Sequence, residues 1–217
     1  MSEPRINEPP TIYDLSNIYA TAGGGGGGGG EITYIEIGGI KYPTKQIGNR
    51  IWFLENLALE WTGLTVVNGT GYNNNTPTAY KYNIGWSCKY GYFYNYYAVN
   101  DLITNHSNLL DGWRVPLVAD FNDLINTAGG ISVCQTKLCS KLWPAPASDD
   151  SLGFNMCPGG YFANGNLQNG SAEERFQIDS GTSTDTKIFD INTNIANVGT
   201  VYGDWKFSAH IRLCKDV

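Results

Sequence analysis

Charge is scarce in this chain. Asp, Glu, Lys and Arg together make up 16% of its 217 residues and leave a net charge of −6, so a general electrostatic pull toward nucleic acid or anionic lipid is not expected. Histidine is scarcer still. His106 lies in polar sequence and His210 in the last apolar stretch, and no Ser-His-Asp or Cys-His grouping can be assembled around either, which argues against an enzyme. No apolar run approaches membrane-spanning length, so membrane insertion is not expected. The start, MSEPRINEPP, lacks the basic start, apolar core and small-residue cleavage site of a signal peptide, and the expectation is a protein made in a cytoplasm and not exported by the usual route. Gly23 to Gly30 lacks the Lys-Ser/Thr and strand-helix context of a phosphate loop. Cys88, Cys134, Cys139, Cys157 and Cys214 are odd in number, so at least one has no intrachain partner. Cys134 and Cys139 lack a second pair or nearby histidines, which speaks against zinc. Buried free thiols are the expectation, with no cofactor and no metal.

What the chain has is tyrosine, tryptophan, asparagine and glycine. Its 14 tyrosines and 6 tryptophans, set among Asn, Ser and Thr, make good adaptable contact surface, and they equally suit a small β-rich core. Residues 1–22 contain Pro4, Pro9 and Pro10 and one short apolar-aromatic piece. That piece cannot form a core alone, and it reads either as a disordered tail, a leader without function, or as an extended peptide that orders on a partner through Ile12, Tyr13, Leu15, Ile18 and Tyr19. Residues 23–30 are a pure glycine linker, the most flexible composition available. Residues 31–217 are long enough to bury a core of their own.

Within that body the clearest element runs from Asp111 to Gly130, DGWRVPLVADFNDLINTAGG. Pro116 precedes the first turn, Val118, Phe121, Leu124, Ile125 and Ala128 recur at helical spacing, and Gly129-Gly130 can end the helix. The spacing predicts one amphipathic helix over about 117–128, with Asp120, Asn122, Asp123 and Asn126 on its polar side and Leu117 a poor cap. Trp113 is expected to pack beside Phe121 and Leu124. Upstream, Ile32 to Tyr42 around Gly38-Gly39, ending before Pro43, and Gln46 to Phe53 around Gly48-Asn49 read as two hairpins. Asn68 to Asn83 reads as a polar loop with Tyr72, Tyr80 and Tyr82 inserted. Lys89 to Asp101 reads as a strand passing into a helix, with Tyr94, Tyr97 and Val99 partly buried. Lys137 to Ser151 reads as a loop, Gly153 to Phe162 as strand, tight turn and strand, and Phe176 to Val201 as antiparallel strands with Asn-rich turns. Trp205 to Cys214 alternates as a half-buried strand should. Glu173-Glu174 reads as a solvated carboxylate pair on a turn.

Motifs recur in a fixed order through this body: Ile47-Gly48 with Trp52 and Glu55-Asn56-Leu57; Tyr90-Gly91-Tyr92-Phe93-Tyr94-Asn95; and Asp111-Gly112-Trp113-Arg114-Val115-Pro116 with Asp120-Phe121 and Leu124. Gly129-Gly130, Lys141-Leu142, Gly153-Phe154-Asn155 and Pro158-Gly159-Gly160-Tyr161 follow, and Ile211-Arg212-Leu213-Cys214-Lys215-Asp216 closes the series. In this order they resemble the Fibrobacter succinogenes major paralogous domain, a family common in Bacteroidetes and their phages. The resemblance implies an α+β, C-type-lectin-like fold related to the formylglycine-generating enzyme group: short antiparallel strands, paired terminal strands, a small mixed sheet and long irregular loops. Two departures matter. Arg175 to Thr186 reads RFQIDSGTSTDT where the family carries a Trp-rich Trp-Ser-Ser-Thr segment. The Glu-Pro-Asn or Gln-Pro-Asp tripeptide of calcium-dependent sugar binding is missing as well. Formylglycine-generating enzymes use two cysteines close together near the chain end, whereas here only Cys214 lies there.

The resemblance, the missing signal peptide and the anchor-like leader together imply a non-enzymatic, virion-attached fibre or decoration protein of a bacteriophage. Residues 1–22 would dock on other virion proteins, and the lectin-like domain would face a host-surface glycan or protein. A homotrimer is common for such fibres, though no heptad or repeat here specifies one. The alternative is a bacterial interaction or structural module of the same family, cytoplasmic or at the cell surface, and a formylglycine-type enzyme ranks third. By analogy with lectin-like folds, the contact residues are Tyr161, Phe162, Asn164, Asn166, Gln168, Tyr202, Asp204 and Trp205: aromatic faces for sugar rings, and amides that both donate and accept.

Overall fold

Alternating apolar residues around two short turns build the first sheet. β1 (Thr33–Ile37) pairs antiparallel with β2 (Ile40–Ile47), and β2 with β3 (Arg50–Phe53), so that Tyr34 faces Pro43 and Ile47 faces Arg50. The two expected hairpins are therefore one meander, because β2 runs through Pro43 instead of stopping before it. Proline removes only a donor, and the Pro43 carbonyl still accepts the Leu54 N–H at 2.9 Å. The last strand, β13 (Cys214–Asp216), returns to pair with β3 and completes the order β1-β2-β3-β13. This computed structural model describes residues 30–69, 75–82, 91–141, 143, 148–181, 186–192, 196–201 and 207–217. The docking residues Ile12, Tyr13, Leu15, Ile18 and Tyr19, and with them Tyr72, Tyr202, Asp204 and Trp205, lie outside the described residues.

Two further sheets follow, and the fold is mainly β with few helices. One contains β4 (Thr65–Asn68), β5 (Thr78–Lys81), β6 (Phe93–Asn95), β7 (Tyr161–Ala163), β8 (Asn166–Gln168) and β12 (Ser208–Ala209), in the order β4-β5-β6-β12-β7-β8. Its β4–β5 pair is parallel. The polar loop expected over Asn68 to Asn83 thus contains a strand: Tyr80 is buried, stacked on Phe162 with ring centroids 5.0 Å apart. The other sheet is β9 (Glu173–Ile178), β10 (Thr186–Asn192) and β11 (Ala196–Val201), antiparallel throughout, as the alternation in that stretch predicts.

Among the described residues there are three α-helices rather than one clear one. α1 (Tyr96–Asn105) buries Ala98, Val99 and Leu102, and the Asn95 side chain caps it by accepting the Ala98 N–H at 2.8 Å. α2 (Val118–Thr127) is the predicted helix and buries Phe121, Leu124 and Ile125. Leu117 offers no cap there, and the Asp120 carboxylate supplies one by accepting the Leu117 N–H at 2.7 Å. Asp120 is 1% exposed, not on a solvated face as its helical position suggests. α3 (Cys134–Leu138) precedes the expected Lys137 to Ser151 loop and takes in only Lys137 and Leu138 of it. Between Gly153 and Gly160 the expected strand is reduced to single bridges, Cys139 to Met156 and Gly160 to Glu174, and only β7 is a strand there.

β3 separates two cores. Successive strand residues face opposite ways, yet Trp52 and Phe53 are both fully buried, so both faces of β3 are covered. Trp52 meets Phe121 and Phe154 at 5.3 and 5.5 Å, while Phe53 meets Tyr42 and Trp113 at 4.8 and 4.7 Å. Trp113 is buried as expected but not against Phe121 and Leu124, which belong to the Trp52 side. The reason is strand periodicity. Arg114 bridges to Cys214, so the extended chain sends Trp113 and Val115 to one core and Arg114 toward Asp120.

The stretch from Phe207 to Cys214 departs most from expectation. Each of its residues is buried, so it is no half-buried strand but a segment packed on all sides. β12 lies between β6 and β7, and His210 and Phe176 bridge it to β9. Periodicity fails as a guide where both faces are covered.

Candidate binding surface

The β7–β8 hairpin gathers most of the predicted contact residues that are described. It turns at Asn164-Gly165, both with positive φ, at 51° and 76°. Residues directly opposite on paired strands share a face. Tyr161 and Gln168 are so paired, as are Ala163 and Asn166, whereas Phe162 and Leu167 face the other way. Asn164 and Asn166 are exposed and Gln168 half-buried, and the Asn166 amide donates to the Asn164 carbonyl at 3.2 Å. Phe162 has to be withdrawn from the site. It is 1% exposed and packs with Tyr80 and Phe93, because the pleat turns it inward.

Tyr161 is held rather than free. The Arg175 guanidinium lies 3.7 Å from its ring centroid and Phe207 lies 5.0 Å away, so one face of the ring is already occupied. Tyr161, Ile188, Phe207 and Ala209 form a small apolar cluster of their own.

Glu173 and Glu174 hold this surface in place from opposite faces of β9. Sequence reading sets both on a solvated turn, but they are 4% and 0% exposed, and neighbouring positions on a strand point apart. Glu174 faces inward, where its carboxylate accepts the Gly159 N–H at 2.7 Å and the Asn56 amide at 3.2 Å and meets His210 Nδ1 at 2.7 Å. Asn56 in turn accepts from Arg212 at 2.8 and 3.1 Å, and the Arg212 guanidinium also donates to the Phe154 carbonyl and lies over the Phe154 ring at 4.6 Å. Buried polar groups need such partners. Neither His210 nor Glu174 has any exposed surface, so no substrate reaches them and the chain of contacts is structural. The Pro158-Gly159-Gly160-Tyr161 motif is thereby explained. Gly159 supplies the N–H for Glu174. A Cβ on Gly160, at φ 75°, would sit 2.3 Å from the Gln168 carbonyl oxygen, so only glycine permits that approach.

Glu173 faces the Tyr161 side. It accepts from the Asn169 amide at 2.6 Å and from Arg175 Nε, and Arg175 Nε lies 3.8 Å from Asp190. Asp190 is pushed up to about 7, first by burial and then by the neighbouring Glu173 charge, with Arg175 opposing both. The surface therefore carries one arginine between two acids, one of which is protonated just below neutrality. The trio is not legible in the sequence, because Glu173 and Arg175 alternate with period two on one strand while Asp190 comes from the strand paired with it.

Cys157 carries a disulfide, which corrects the expectation of free thiols at that position. Cys134, Cys139 and Cys214 are free and buried, and Cys88 lies outside the described residues. Among the described residues no group of three or more His, Cys, Asp or Glu could hold a metal ion, and no helix is long and apolar enough to cross a membrane. Compared with known proteins, the chain matches no family model, no curated protein and no solved structure.

Proposed function

We propose that the chain is a display protein of a bacteriophage particle, with residues 1–22 docking on the virion, residues 23–30 acting as a swivel, and residues 31–217 forming a lectin-like domain that meets a host-surface glycan. The observation that carries this reading is the return of Cys214–Asp216 onto Arg50–Phe53. It sets both ends of the domain in one sheet, although β1 and β13 stand at its opposite edges and are not paired with each other as the resemblance implies, and it leaves the β7–β8 hairpin at the edge of another. The meeting of two of the resembling motifs supports it further: the Tyr92 N–H donates to the Leu57 carbonyl at 2.9 Å, and a Cβ on Gly91 would lie 2.4 Å from that same oxygen. The contact residues under this reading are Tyr161, Asn164, Asn166 and Gln168, with Tyr202, Asp204 and Trp205 just before Phe207 in the chain.

Two experiments test it. Deleting residues 1–22 should abolish incorporation into particles while leaving the thermal midpoint of the protein unchanged, and equal incorporation of the truncated chain ends the docking idea. Full-length protein presented multivalently should bind host cells, since weak single sites gain from avidity. Tyr161→Ala, Tyr202→Ala and Trp205→Ala should each weaken that binding. Binding untouched by all three moves the contact surface elsewhere, and no binding by the wild type removes the recognition role.

A further inference from the structure

A cavity of about 200 Å³ lies between one face of α1 and the end of β9, apart from the β7–β8 hairpin. The α1 residues that line it, Tyr96, Val99, Asn100, Ile103 and Thr104, are spaced so as to share one helix face. The opposite wall is Gln177 to Gly181. Several features give this space the character of a built site. Gln177 is 1% exposed, and its amide nitrogen donates to the Tyr94 carbonyl at 2.9 Å, which fixes the amide and leaves its oxygen as the acceptor. Asp179 is anchored through its N–H to the Pro116 carbonyl at 2.8 Å, and one of its carboxylate oxygens accepts the Gly181 N–H at 2.7 Å, so the second is available to a ligand hydroxyl. Val99, Ile103 and Ile178 supply an apolar strip beside these polar groups.

No Lys, Arg or His is among the residues that line the cavity, so an anion would be desolvated without compensation. The volume falls below the roughly 300 Å³ at which drug-sized sites begin, which limits the ligand to about one small ring. A compact ring with an apolar face and a rim of hydroxyls satisfies both the strip and the fixed acceptors. We infer that this cavity binds a single neutral pyranose, as a free sugar or as the terminal unit of a glycan. The inference shares with the display reading only its ligand class, and it names a different site.

The test is an amide-resolved NMR titration of the full-length protein with methyl pyranosides of glucose, galactose, mannose and N-acetylglucosamine, with glucuronate and glucosamine as charged controls. At least one neutral pyranoside should produce saturable shifts in α1 and Gln177 to Gly181 with a dissociation constant of about 1 mM, as expected for so small a ligand. Glucuronate should bind at least about tenfold more weakly. Asn100→Trp and Thr104→Trp, both at exposed helix positions, should abolish the shifts without changing the thermal midpoint. No saturable shift from any neutral pyranoside overturns the inference, as does preferential binding of either charged control or binding indifferent to both tryptophans. The two proposals fail separately. Cell binding retained in Asn100→Trp leaves the display reading standing without this cavity, and pyranoside binding by a protein that ignores host cells does the reverse.

Discussion

Asp120 holds a helix start, two arginines and the end of the chain at once. Its carboxylate accepts from Arg50 at 2.7 Å, from both arms of Arg114, and from the Leu117 N–H, and the Cys214 thiol lies 3.8 Å away. Burial pushes this carboxyl up, but the Arg114 fork, the Leu117 N–H and Arg50 outweigh it and hold it at about 2. The same site pushes the Cys214 thiol up to about 12, through burial and then the Asp120 charge. Asp120→Ala should cost about 2 to 3 kcal/mol at neutral pH, the sum of a lost cap and of charge-assisted hydrogen bonds whose arginines remain partly solvated. A depressed carboxylate contributes stability above its unfolded value near 4 and loses it as pH falls. The gap between variant and wild type in chemical denaturation should therefore close between about pH 4 and pH 2, and a gap that stays constant would show the cost to be packing alone. Helical spacing sets Asp120 on the polar side of α2, and the convergence is not legible there because Arg50 lies 70 residues away on β3 and Arg114 is aimed by its bridge to Cys214.

At the scale of elements, what is legible is what repeats locally. The two turns within Thr33–Phe53, though not the single meander they belong to, the α2 helix and the antiparallel β9–β10–β11 strands each follow from periodicity and turn residues. What is not legible depends on which face is covered. β3 buries both Trp52 and Phe53, and the segment before β13 is buried throughout, so alternation carries no information there. The same loss of information sets Glu174 on the surface and Phe162 in the binding site, whereas the strand passing into a helix over Lys89 to Asp101 is found as β6 and α1. Trp113 illustrates the difference in energetic terms. Trp113→Ala should cost roughly 3 to 5 kcal/mol, and the loss should be coupled to Phe53, whose ring it meets at 4.7 Å, and not to Phe121. A double-mutant cycle measures this. Coupling above about 0.5 kcal/mol with Phe53→Leu and near zero with Phe121→Leu is the expected outcome, and the reverse would return Trp113 to the face of α2. Gly160→Ala tests the hairpin support in the same way. With its Cβ driven against the Gln168 carbonyl at positive φ, it should destabilise by at least about 2 kcal/mol, and a thermal midpoint within a degree of wild type would show that β7 and β8 can shift apart.

For the whole molecule, the buried acids set the pH at which the fold is most stable. Asp150 is pushed up to about 7, first by burial, with the Asn155 N–H at 2.9 Å, Arg212 and Lys45 pulling the other way. Asp190 is raised to the same value by burial and by Glu173. A carboxyl raised in the folded state holds its proton between about pH 4 and pH 7 while the unfolded chain has lost it. Folding is then linked to proton binding, and this contribution is complete below about pH 4 and lost as pH rises through 7. Asp120 works in the opposite sense below pH 4. The two together place maximal stability on the acid side of neutrality, near pH 4 to 5. The urea midpoint should fall between pH 5 and pH 8 by an amount corresponding to about 1 to 3 kcal/mol, since both groups keep some contact with solvent. Replacing both acids, Asp150→Asn with Asp190→Asn, should flatten that decline. Asparagine suits position 150, where φ is 49°, because it tolerates the left-handed region, so the double variant should fold and should exceed the wild type in stability at pH 8. A wild-type midpoint that is level or rising from pH 5 to pH 8 would mean that both carboxyls ionise normally, and the outer face of β9 would then carry two negative charges around Arg175 rather than one.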